Sequence, residues 1–231
     1  MAAKKKAADK AVEVITIPEI KKKVLKLRLV GVSVLVCHAW SEKAKKALRD
    51  KHMKVAKTGR DKRDPEAEFN AARYIMPDGS GYDGFPSCGI KTAMVDACSF
   101  VEGVTKVLAR GAFHINPGQD LVPIQTLKPV KKKAMKVASK GHLGVEILVP
   151  AMREDMVRVG GKGPGTGAAD LRYRPEYQDW TIPISVKYNE SVISPAQIIN
   201  LLNLAGFSIG IGEWRPQKNG NWGMFEVATD E

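Results

Sequence analysis

Arginine and aromatic side chains stand next to one another at two places in the chain, Arg172-Tyr173-Arg174 and Trp214-Arg215. A guanidinium grips a phosphate in a forked hydrogen bond, and an aromatic face stacks on an unpaired base, so the combination suits a single nucleic-acid strand better than a duplex. The densest run of cations lies between Ser41 and Arg63. There Lys43, Lys45, Lys46, Arg49, Lys51, Lys54, Lys57, Arg60, Lys62 and Arg63 meet only Glu42, Asp50 and Asp61. Such a run is ordinarily a solvated face. Like charges one turn apart cost a helix stability, however, and few acids are at hand to relieve the repulsion. A third feature is Gly160, Gly161, Gly163, Gly165 and Gly167 around Lys162. It reads either as a linker or as a loop whose backbone approaches phosphates closely.

Catalytic patterns are weaker. The phosphate loop of nucleoside triphosphatases, GxxxxGK[ST], is absent, and the glycines at 160–167 do not open a helix in the dinucleotide-binding manner. Metal-free RNA cleavage needs a general base and acid. His38, at the end of the first strand, and His52, on the basic run, have the right chemistry, although a strand-end histidine beside Cys37 and Trp40 is ordinarily a packed one. Glu154, Asp155 and Asp170 would need to converge to hold a divalent metal. The histidines and the cysteines Cys37, Cys88 and Cys98 show no metal-ligand spacing and form no disulfide framework. No catalytic residue, metal or cofactor is therefore assigned.

The elements that must carry these groups follow from periodicity. Leu25, Leu27 and Leu29 alternate with Lys26 and Arg28, opening a long strand expected over Val24 to Val36. Ser41 caps a helix with a narrow stripe of Ala44, Ala47, Leu48 and Val55. After a turn at Pro77 to Gly84, Ser87 starts a core helix expected to reach about Leu108. Strands are expected at Ala112 to Ile115, Leu121 to Ile124, Val145 to Val149, Trp180 to Tyr188, Phe207 to Ile211 and Gly223 to Val227. Ser194-Pro195-Ala196-Gln197 starts a further helix that Gly206 should end. The pattern predicts an α+β fold, a mainly antiparallel sheet with helices on one face. A flexible basic arm is expected over residues 1–20 and a single domain over 21–231, with a basic helical insertion at about 41–73.

Phe85-Pro86-Ser87-Cys88-Gly89-Ile90-Lys91 resembles the opening of the first helix in the repeat-associated (RAMP) proteins of CRISPR systems. Gly210-Ile211-Gly212-Glu213-Trp214-Arg215, with Gly220 and Trp222 to Val227, resembles their glycine-rich loop and final strand. The look of Met152 to Gly161 is also similar to proteins of bacteriophages and prophages. The RAMP resemblance implies a ferredoxin or RNA-recognition type of fold and a protein that binds RNA and polymerises along it. With 37 Lys and Arg against 25 Asp and Glu, a net charge of +12 draws in any polyanion.

The reading that joins these signals is a non-enzymatic binder of single-stranded DNA or RNA, a homo-oligomer, cytoplasmic and not membrane-bound. Lys43, Lys45, Lys46, Arg49, Lys54, Lys162, Arg172, Arg174 and Arg215 would meet phosphates, and Tyr173 and Trp214 would stack on bases. A metal-independent endoribonuclease using His38 or His52, and a virion assembly protein, are the rivals.

Overall fold

The structure, a computed structural model, describes residues 19–55, 62–126, 150–160 and 167–228. The alternation that starts at Val24 builds β1 (Lys22–Gly31), which pairs antiparallel with β9 (Trp180–Asn189). In this register Leu29, Leu27 and Leu25 lie opposite Ile182, Ile184 and Val186, so one face of the sheet is continuously apolar. That face is covered by α3 (Ser87–Ala97), through Ile90 and Met94, and by α5 (Pro195–Ser208), through Ile198 and Leu202. The capping box foreseen at Ser194 and Gln197 is present at the start of α5.

Three short strands complete the sheet, β4 (Phe113–Ile115) and β6 (Gln125–Thr126) beside β9 and β10 (Phe225–Val227) beside β1. The spatial order β10-β1-β9-β4 is 4-1-3-2 for the chain order β1, α3, β4, β9, α5, β10. That is the ferredoxin-like βαββαβ arrangement, so the expected α+β class with helices on one sheet face is the fold of the protein.

Two long insertions are set into this frame. Between β1 and α3 lie β2 (Leu35–Val36), α1 (Glu42–His52), α2 (Pro65–Ala71) and β3 (Gly84–Pro86). Between β4 and β9 lie β5 (Leu121–Pro123), β6 (Gln125–Thr126), β7 (Ala151–Gly160) and β8 (Gly167–Tyr177). A long antiparallel hairpin, β7–β8, forms a second sheet with β2. The hinge between frame and insertions is a buried knot, in which Asp83, 1% exposed, accepts a two-pronged bond from Arg73 and a 2.7 Å bond from the Tyr177 hydroxyl. Burial, then the nearby Cys37 and the Asp83 charge, push the Tyr177 phenol up.

Several expected elements are corrected. The first strand ends at Gly31, where a Cβ would stand 2.4 Å from the Trp180 ring, and resumes as β2. The core helix stops at Ala97; a 3-10 turn and a break precede α4 (Lys106–Ala112), whose start Thr105 caps. Gly206 does not end α5, because it sits against the Phe225 carbonyl and lets helix and β10 touch. No strand forms at Phe207–Ile211. Of the cysteines, Cys37 and Cys98 are buried, as small apolar residues are, whereas Cys88 is exposed. The arm at Met1–Lys10, the lysines at 131–136 and the strand expected at 145–149 lie outside the described residues. Among the described residues no helix is long and apolar enough to cross a membrane.

Candidate nucleic-acid interface

Cys37 leads out of β2 to His38 and Trp40, and Ser41 then caps α1 by accepting from the Ala44 amide. None of the helix is buried, and the stripe of Ala44, Ala47 and Leu48 that should face a core faces solvent. Its basic surface explains this: five cations on eleven residues leave too narrow an apolar strip to be worth desolvating. Lys45 is tied to Glu42 at 2.6 Å. No salt bridge holds Lys46, Arg49, Lys51 or Lys54 to a described carboxylate. Lys54 lies just beyond the helix in a left-handed conformation, φ 55°. At the root of α1, Trp40 is 62% exposed and borders a cleft of about 540 Å³ shared with Lys45, Arg73 and Tyr74.

The loop between α5 and β10 is folded back on β2. Glu213 donates its amide to the Val36 carbonyl and Gly223 donates its own to Val34. A Cβ at Gly223 would lie 1.7 Å from the Ile211 carbonyl oxygen, and one at Gly220 1.7 Å from that of Trp214, so backbone packs on backbone here. The loop presents Trp214, 42% exposed, edge-on to Trp222 with ring centres 6.1 Å apart. The Arg153 guanidinium lies over the Trp222 ring at 4.0 Å, joining the hairpin to the loop. Arg215 bonds the Gly212 carbonyl and the Gln217 side chain, and is thereby engaged in holding the loop.

Strand alternation separates Arg172-Tyr173-Arg174. In the β7–β8 register Arg153, Asp155, Arg172 and Arg174 share one face, while Glu154 and Tyr173 share the other. Tyr173 is turned away from the two arginines and hydrogen-bonds Glu154. Arg174, 6% exposed, is paired with Asp155 at 3.3 Å, and Arg153 is bonded by Asp155 and Glu176. Arg172 is held at 3.0 Å by Asp170, which also binds Arg63. The Arg174 Nε is buried without a hydrogen bond, and the Arg172 Nε, though 3.0 Å from Asp170, is not aligned for one.

His38 completes the cluster. Its Nδ1 lies 4.0 Å from a Glu213 carboxylate oxygen, and Tyr74 donates its hydroxyl to the His38 carbonyl. Burial and then the Arg174 charge hold its imidazole below the usual pKa, against the pull of Glu213. His38 is thus neutral at pH 7. His52 stands apart on α1.

Of the residues picked out in the sequence, Arg172, Arg174 and Trp214 are gathered with His38 around the hairpin base and the glycine loop. Lys43, Lys45, Lys46, Arg49 and Lys54 sit on or beside the projecting helix that starts next to His38, Tyr173 is on the far face, and Lys162 lies outside the described residues. Arg153, Glu213, Trp40 and Trp222 complete the surface and were not foreseen. The signal for Trp222 was the rarity of tryptophan, four in 231 residues, and Arg153 had none, since Met152 to Val159 shows no period-2 alternation. Among the described residues no group of three or more His, Cys, Asp or Glu is placed to hold a metal.

No family model matches the chain, and no curated protein matches its sequence. Several solved structures match it, and one of them runs alongside most of it. This is the crystal structure of Cmr6 from Pyrococcus furiosus, 10% identical, with a TM-score of 0.39 over 91% of this chain and 100% of that one. A likeness of that order says nothing about ligands.

Proposed function

We propose that the chain binds a single strand of nucleic acid, with phosphates on α1 and unpaired bases on Trp40 and Trp214. The observation that carries this reading is the state of α1: a basic helix held clear of the body, with no buried residue and with Lys46, Arg49 and Lys54 free of described carboxylates. A folded chain gains nothing internal from such a helix, and like charges on it repel one another until an anion arrives. Arg153, Arg172 and Arg174 contribute differently. Their charges are already met by acids, so they shape the floor of the surface and hold Trp222 in place.

Fluorescence anisotropy with labelled single-stranded RNA and DNA tests this. With six phosphates of a single strand contacted, affinity falls about three-hundredfold between 50 and 200 mM salt. Reversing Lys46, Arg49 and Lys54 to Glu should lower the logarithmic salt slope by about two while leaving the circular dichroism spectrum unchanged. Equal binding by this variant, or binding that salt does not weaken, refutes the reading.

Metal-independent RNA cleavage has one observation in its favour, the neutral His38 beside Glu213 and among arginines. RNA left intact in EDTA after long incubation with the protein removes it.

A further inference from the structure

β7 is the outer strand of its sheet, and no other described strand pairs with its free edge. Such an edge offers a row of N–H and C=O groups to any chain that comes alongside, and proteins usually blunt it with lysine, proline or a bulge. The exposed flank of β1 is blunted in this way. It carries Lys22, Lys23 and Lys26 before it meets β10 at Leu29. On β7 the charges are Arg153, Glu154, Asp155 and Arg158, two of each sign, so they give no net repulsion against a like strand. Its residues, AMREDMVRVG, include no Lys and no Pro, and its register with β8 runs unbroken from Ala151↔Glu176 to Gly160↔Gly167. Met152 and Met156 on its outer face are 50% and 69% exposed.

The charges along the strand select what fits there. Two copies of β7 related by a twofold axis must run antiparallel, with side chains of one face meeting the same face of the other copy. Centring the pair on Glu154, Asp155 or Arg158 sets a like charge against itself. Centring it on Val157 leaves Glu154 opposite Gly160 and Arg158 opposite Met156. Centred on Met156, each Glu154 lies opposite Arg158 of the other copy, twice over, with Met156 against Met156. Arg158 has no ion-pair partner among the described residues, whereas Arg153 and Asp155, on the opposite face, are already neutralised within their own chain. We infer that β7 pairs antiparallel with β7 of a second copy in the Met156-centred register, making one continuous sheet from two hairpins. The inference does not depend on the nucleic-acid reading, since no residue of α1 takes part.

Sedimentation velocity of the full chain over a range of concentrations, without nucleic acid, reads the result. A concentration-dependent dimer is expected. Arg158→Glu turns two attractive cross-strand pairs into repulsive ones and should weaken the dimer by about tenfold or more. Adding Glu154→Arg to that variant regenerates both pairs with their signs exchanged and should restore the dimer. Met156→Lys, which places two like charges on the axis, should weaken it independently. All three positions are exposed, so circular dichroism should show every variant folded. A chain that stays monomeric, a dimer that Arg158→Glu leaves unchanged, or a loss that the exchanged pair does not repair would each overturn the inference.

Discussion

The β1–β9 and β7–β8 ladders are of nearly equal length, ten residues against ten and ten against eleven, yet different forces hold them. On the first, leucines and isoleucines fill one face and two helices cover them. On the second, neither face is fully buried, and the base is fixed by Arg153, Asp155, Arg174 and Glu176 with a cation over Trp222. Backbone hydrogen bonds are common to both, so the contrast lies in side chains. The frame is stabilised by removing apolar surface from water, and the insertion by matched charges that hold its base against the glycine loop.

The sharpest way to break this comparison is to remove one large group from each ladder. Trp180, fully buried on β9 and donating to the Ser33 carbonyl, should cost about 3–5 kcal/mol as Trp180→Ala in urea unfolding. Met156→Ala on β7 should move the same midpoint by less than about 0.5 kcal/mol.

Charge deletions at the hairpin base sharpen it. Asp155→Ala strands the buried Arg174 and should cost about 2–3 kcal/mol. Arg174→Met leaves Asp155 bonded to Arg153 and should stay within about 1 kcal/mol of the parent. Equal losses would mean that the network is not organised around Asp155.

The smallest effect is a pH slope. His38 and His114 both titrate below the ordinary value of 6.5, the first through burial and then Arg174, the second through burial and then Lys91. The unfolded chain therefore takes up these protons first. Their contribution to stability is present above pH 6.5 and is lost as the pH falls toward the folded-state values. His38→Gln should flatten that decline when urea midpoints are compared across pH.

The same contrast explains what could be read in advance. β1, β9 and α5 announce themselves because burying one face imposes a period, and Ser194 with Gln197 marks a helix start by its own chemistry. The β7–β8 hairpin was hidden: charged and apolar residues are mixed on both faces of β7 without alternation, and its glycines at 160 and 167 resemble a linker although they pair with one another. Adjacency in sequence also misled at Arg172-Tyr173-Arg174, since neighbours on a strand point to opposite faces. The convergence of His38, Glu213 and Trp222 depends on a loop folding back on β2, which no local pattern encodes.

That folded-back loop has a consequence for how the chain tolerates change. At Gly220 and Gly223 the first carbon of any side chain would already fall 1.7 Å from a carbonyl oxygen. In a saturation library these positions should behave as on-off sites, with alanine rejected as firmly as tryptophan. Gly79 and Gly118, which have open space around them, should instead show a graded response set by backbone conformation alone. The turn that carries Trp214 and Trp222 is thus fixed by backbone packed on backbone, whatever side chains it presents.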